Sequence, residues 1–221
     1  MTDGYQNLSD AFVAAVVAGD VDSVRALLDQ DPTLLRTRGT DGESLPLTAL
    51  YHQHLPLADE LAARSGELDV FEAAAFDDTA RLERLITADD EVVFTWSQDG
   101  WQPLHLACYF GRVEAARTLL DADAPVTEPA LNGSDILPLH AAAAGRHTEL
   151  LWLLIASDAP VDAQQQGGWT ALHAAAKNSD VAGVQALIAA GADPSVRSDD
   201  GLTAADLATD DQVRAALAIA L

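Results

Sequence analysis

Lysine is almost missing from this chain of 221 residues: Lys177 is the only one, and arginine brings the basic residues to 12 against 35 acidic ones. A net charge of -23 repels phosphate backbones, which argues against a nucleic-acid partner. Cysteine occurs once, as Cys108, so there is no internal disulfide framework. Aromatic residues make up 5% of the chain, and Ala and Leu are left to pack short helices at close range. No apolar run approaches the ~18 residues needed to cross a bilayer, and residues 1–10 are polar and acidic, unlike a secretory leader. These absences predict a cytoplasmic chain with no membrane partner. Chemistry is scarce as well. No G-x-x-x-x-G-K-[ST] phosphate loop is present. Acid pairs such as Asp77-Asp78, Asp89-Asp90 and Asp199-Asp200 fall at helix ends, where carboxylates cap free N–H groups. No catalytic residue and no cofactor is therefore expected, and the chain reads as something other than an enzyme.

What the sequence does have is a repeat. Trp101-Gln102-Pro103-Leu104-His105-Leu106-Ala107 returns as Leu137-Pro138-Leu139-His140-Ala141-Ala142, and again as Trp169-Thr170-Ala171-Leu172-His173-Ala174-Ala175. The three histidines are 35 and then 33 residues apart, a period that means a stacked array. The rest of each block stays in register: Leu119-Leu120, Leu154-Ile155 and Leu187-Ile188 follow at matching distances.

On these motifs the chain resembles the ankyrin-repeat family, whose units carry a TPLHxAA-like signature over about 33 residues. The resemblance covers nearly the whole chain. It implies an all-α solenoid of about seven helix-turn-helix units with short β-hairpin fingers. It also implies that His105, His140 and His173 hydrogen-bond neighbouring finger backbone and brace the stack. Repeats a helix diameter apart, ~10 Å, are too far separated for three imidazoles to share one zinc with bonds near ~2 Å. No metal site is expected. Cys108 falls on a buried small position of the signature.

In chain order, a polar lead-in over 1–10, with Ser9 or Asp10 as cap, precedes helices over 11–18 and 21–30 that meet at Gly19. The second unit opens at Asp41-Gly42, with Thr48 in place of histidine and a second helix near 57–64. Only four residues then separate Gly66 from Phe71, which leaves no room for a finger. The third unit spans 71–86, and a finger over 91–97 carries Phe94 and Trp96. Units follow over 99–126, 135–163 and 167–197. A seventh, with a second helix over 212–221, serves as the C-terminal cap. The break after Gly66 divides the chain into an N-terminal block of two units, 1–67, and a C-terminal block of five, 68–221.

The family resemblance implies a non-catalytic module that binds a protein partner through its concave finger and inner-helix face. The residues expected on that face are Trp96, Trp101, Gln102, Tyr109, Phe110, Asp135, Trp169, Lys177 and Asn178. An accessory or regulatory subunit of an enzyme is the alternative. A monomer is expected. Trp152 aligns with the polar Arg117 and Gln185, so it faces solvent or covers a neighbouring helix. The acids are scattered along the chain. That scatter fits a general solubility adaptation better than a local attraction for a basic partner, though both readings stand.

Overall fold

Six helices give way to the next one through a left-handed residue. Gly19, Gln53, Asp77, Gly111, Arg146 and Ser179 all have φ between 53° and 74°. In all six turns the next residue's N–H returns to a carbonyl five positions back, and that acceptor is always an alanine: Ala15, Ala49, Ala73, Ala107, Ala142 and Ala175. The left-handed step satisfies a helix-end carbonyl. The small acceptor residue, buried in every case, lets the second helix fold back closely on the first.

The computed structural model describes residues 2–219. They form seven helix pairs: α1 (Thr2–Ala18) and α2 (Val21–Gln30), α3 (Leu45–Tyr51) and α4 (Leu55–Ser65), α5 (Val70–Phe76) and α6 (Thr79–Ala88), α7 (Pro103–Tyr109) and α8 (Val113–Asp121), α9 (Pro138–Ala144) and α10 (Thr148–Ala156), α11 (Ala171–Lys177) and α12 (Val181–Ala189), α13 (Ala204–Leu207) and α14 (Asp211–Ile219). The expected second helix of the last unit stops at Ile219, and residues 220–221 lie outside the described residues.

The chain forms two compact units, and the division falls inside α5. The first runs to Glu72 and takes in Ser97–Asp99; the second holds Ala73–Trp96 and the residues from Gly100 onward. In the first, α1 to α4 enclose Phe12, Val16, Leu28, Leu34, Leu45, Leu57 and Leu61. Residues 97–99 join it through Tyr51, whose hydroxyl donates to Asp99 Oδ2 at 3.3 Å. In the second, α7, α9, α11 and α13 pack side by side, and α8, α10, α12 and α14 form a second layer behind them. Leu104, Leu119, Leu139, Leu150, Leu154 and Leu187 fill the space between the layers.

Four expectations are corrected. First, α1 starts at Thr2, so Ser9 and Asp10 lie inside a helix and cap nothing; Leu8 already continues the stripe of Phe12 and Val16 at four-residue spacing. Second, residues 90–94 are a 3-10 helix, Asp90–Phe94, where a finger was expected. Asp89 starts it by accepting the Glu91 N–H at 3.2 Å, as Asp31 accepts the Thr33 N–H at 2.9 Å to start Pro32–Arg36. Third, the hairpin fingers are minimal, tight turns closed by single antiparallel bridges. Among the described residues there is no strand, only isolated bridges at Arg38–Ser44 and Gln165–Trp169. Gly167 and Gly168, at φ 82° and 71°, spend the length of that loop on the turn itself. Fourth, α3 begins one residue after Ser44 as α7 begins one after Gln102, so Leu47, not Thr48, holds the place of His105. Thr48 instead bonds Glu43 Oε1 at 2.9 Å and the Ser44 carbonyl at 3.1 Å.

Candidate functional site

The finger loops are held by the three repeated histidines. Each is buried, and each uses both ring nitrogens. Nδ1 accepts the backbone N–H three residues before it: Gln102 at 3.4 Å, Leu137 at 3.0 Å and Thr170 at 3.2 Å. Nε2 therefore carries the proton and donates to the next loop: Ile136 O at 2.9 Å from His105, Ala163 O at 2.9 Å from His140, Leu202 O at 3.0 Å from His173. This arrangement requires a neutral imidazole, because a second ring proton would face an N–H donor. Burial drives the His105 pKa down to about 4 and lowers that of His140. The histidines are structural staples, as the repeat implied.

A second row of staples was not read from the sequence. His54 Nε2 donates to Val17 O at 2.9 Å, Arg112 Nε to Ala75 O at 2.7 Å and His147 Nε2 to Tyr109 O at 3.1 Å. Asn178 Nδ2 donates to Ala144 O at 3.1 Å. Every acceptor is two residues before the left-handed residue of the preceding repeat. The available signal was the recurrence of a long polar donor directly after the turn residue, at 54, 112 and 147.

Aromatic rings rest on the histidine row. Trp96 and Trp101 lie against His105 with ring centroids 6.1 and 5.7 Å away. Trp169 lies 5.9 Å from His173 and has Lys177 Nζ 4.8 Å from its centroid. Tyr109 and Phe110 meet edge to face at 5.1 Å. Tyr109 is 45% exposed and Phe94 41%. Asp135 is exposed at a left-handed turn, φ 54°. Of the nine residues expected on this face, Gln102 is corrected. It is 2% exposed, caps α7, and donates from Nε2 to Phe94 O at 3.3 Å. Asn178 is half-buried and engaged as a staple. Trp152 faces solvent at 47% exposure. Cys108 is fully buried and burial raises its thiol pKa, so it stays protonated. Among the described residues, no group of three or more His, Cys, Asp or Glu is placed to hold a metal ion, and no helix is long and apolar enough to cross a membrane.

The family model described as ankyrin repeats (3 copies) matches residues 11–130 and 127–198. The chain belongs to the ankyrin-repeat family. It is 44% identical over 95 residues to human neurogenic locus notch homolog protein 4, covering 42% of this chain and 5% of that protein. It is 28% identical over 192 residues to the ankyrin repeat protein nuc-2 of Neurospora crassa, 86% of this chain and 15% of that one. It is 34% identical over 116 residues to the tyrosine-protein kinase Shark of Drosophila melanogaster, 51% of this chain and 12% of that one. The chain thus spans a small fraction of each relative. Ankyrin repeats are typically non-catalytic and generally mediate protein–protein interaction.

Proposed function

We propose that this ankyrin-repeat chain is a non-catalytic docking module that binds a protein partner on the finger and inner-helix face of its second unit. The observation that carries this is the placement of aromatics. Of the chain's twelve (Trp 4, Tyr 3, Phe 5), five fall within 94–110: Phe94, Trp96, Trp101, Tyr109 and Phe110. A scarce residue type is thus gathered where the first helix of a repeat meets its finger. Rigid aromatic side chains supply large contact area at low entropic cost, and binding energy concentrates on such anchors. Asp135, Trp169 and Lys177 extend the face along the next two repeats.

A photo-crosslinking amino acid placed at Tyr109 tests this, with the same group at Trp152 on the second helix layer as comparison. Capture of a protein from native extract at position 109 and not at 152 is the expected result. Capture at 152 alone, or equally at both, overturns the choice of face. If the captured protein is an enzyme, docking here takes the form of an accessory subunit.

A further inference from the structure

The asparagines of the chain are Asn7, Asn132 and Asn178, and of these Asn132 precedes a glycine. Asn132 and Gly133 are both exposed in the loop between α8 and α9. The Ser134 N–H and the Ser134 hydroxyl both donate to Asn132 Oδ1, at 3.1 and 2.6 Å. Of the two amide atoms, the oxygen alone accepts from an N–H, so these bonds fix the orientation of the group. They fold the Asn132 side chain around the Gly133 peptide in an Asx turn. Gly133 itself is left-handed, at φ 80°, and a Cβ there would meet nothing within 4 Å. Among the described residues its N–H donates to no group.

The Gly133 nitrogen closes a five-membered ring when it bonds to Asn132 Cγ, and glycine obstructs that closure least. Negative charge then develops on Oδ1. Two donors already aimed at that atom stabilise it as an oxyanion hole does. Ser134 Oγ in turn accepts the Ile136 N–H at 3.4 Å, which helps to hold the hydroxyl in place. At comparable positions the attacking nitrogen is engaged. After Asn178, the Ser179 N–H donates to Ala176 O at 3.1 Å. In Asp41-Gly42 and Asp200-Gly201 the glycine N–H donates to Gly39 O at 3.2 Å and to Ser198 O at 2.8 Å.

The loop is tied on both sides of this pair. The Leu131 N–H donates to Gly100 O of the preceding finger at 2.9 Å, and the Gln166 N–H of the following finger donates to Ser134 O at 2.9 Å. A Cβ at Gly100 would stand 2.7 Å from the Asn132 nitrogen, so the approach leaves no slack. A longer backbone between Leu131 and Ser134 strains both ties.

We propose that Asn132-Gly133 is a self-modifying site, a chemical clock in the finger loop that Ser134 helps to drive. The Gly133 nitrogen bonds to Asn132 Cγ, the Cγ–Nδ2 bond breaks, and the Gly133 proton leaves with Nδ2 as ammonia. Water then opens the imide. Attack at Cγ leaves aspartate. Attack at the Asn132 backbone carbonyl carbon breaks its bond to the Gly133 nitrogen and leaves isoaspartate, with the chain routed through Cβ and Cγ. Water is the only co-reactant, and nothing is oxidised or reduced. Isoaspartate adds one carbon to the main chain between the two ties and uncouples the loop from a neighbouring finger.

The test incubates the full folded chain at neutral and at mildly alkaline pH, then maps its peptides by mass spectrometry with isoaspartate resolved from aspartate. Asn132 should convert at least tenfold faster than Asn178, and faster in alkali because the attacking nitrogen must lose its proton. Isoaspartate should be among the products. Ser134→Ala removes one donor to Oδ1 and should slow conversion at least twofold. Asn132→Gln would have to close a larger ring and should stay unconverted. In the converted chain, amide hydrogen exchange at Leu131 or Gln166 should be at least tenfold faster. Aspartate without isoaspartate, conversion only after unfolding in urea, or a Ser134→Ala rate at or above that of the starting chain overturns the proposal. Unchanged exchange at both amides overturns the uncoupling.

Discussion

The imidazole of His147 lies directly over the backbone of Gly111, one repeat earlier. A Cβ built on Gly111 would sit 2.5 Å from His147 Cε1. The same contact recurs between His54 and Gly19, at 2.6 Å. Glycine is needed there twice over, for a φ of 74° and for space.

Gly111→Ala should therefore destabilise the fold by about 2–3 kcal/mol, combining left-handed strain with displacement of the ring. Part of that cost is the His147 contact, so the same substitution in a His147→Ala background should cost less. A double-mutant cycle in urea measures the coupling. Additive effects would show that the ring contact carries no strain.

Arg146 and Asp77 occupy the same turn position with φ of 60° and 62°, yet they should respond differently to glycine. Arg146→Gly is expected to stabilise by about 0.5–1 kcal/mol, since a non-Gly residue in the left-handed region is disfavoured. Asp77→Gly should not, because Asp77 Oδ1 accepts the Ala115 N–H at 2.8 Å and the substitution leaves that group without its partner. Thermal melts of both variants decide this; a lower melting temperature for Arg146→Gly would contradict it.

Acid should weaken the fold in the histidine range. The folded His105 pKa, about 4, is below its ordinary 6.5, so the unfolded chain binds the proton first. Stability is full above the ordinary value and falls as pH drops from there toward 4. Between pH 7 and pH 5 His105 alone should remove about 2 kcal/mol. His140 is shifted in the same direction and adds to the loss. Glu72 works the other way, because burial raises its pKa and its protonation favours the folded state. Urea titrations at both pH values, with His105→Gln as comparison, should show a smaller loss in the variant. Equal losses would mean that another group controls the transition.

The joint between α4 and α5 makes a prediction about fragments. α4 ends at Ser65 and α5 starts at Val70, so four residues connect the second and third pairs. A stacked array needs about three units to hold together. Residues 68–221, with five pairs, should remain helical alone at reduced stability. Residues 1–67, with two, should not fold. The larger fragment keeps Asp99 but loses Tyr51, its hydrogen-bond donor. Circular dichroism melts check both, and a cooperative melt from 1–67 would remove the boundary.

Much of the architecture was legible because it repeats. Buried leucines and the Leu-His pair fall at fixed distances, and the turn positions could be aligned by counting from Gly19 and Gly111. The misses have local causes. Residues 90–94 look like finger sequence, but an aspartate two residues before Glu91 and Thr33 starts a 3-10 turn that aromatic content does not reveal. The neighbouring Pro-Leu pair aligns Thr48 with the histidines, whereas the bond from the Thr48 N–H to the Ser44 carbonyl sets the true register one residue away. Gln102 looked like a finger residue available to a partner, but a side chain adjoining a helix start can turn inward as readily as outward. The Arg112, His147 and Asn178 contacts escaped because three different residue types do one task, and identity-based alignment conceals that.

The backward direction of those staples bears on how the chain is made. Tyr109 offers its carbonyl to His147, 38 residues later, and His105 waits for Ile136, 31 residues later. A ribosome delivers the acceptor well before the donor in the first case and the donor before the acceptor in the second. During synthesis the newest repeat is therefore always chemically unfinished, and it is closed only by the one that follows. Completion trails emergence by about one repeat length, so a pause in translation would leave a single open edge at the growing end, with everything behind it already sealed.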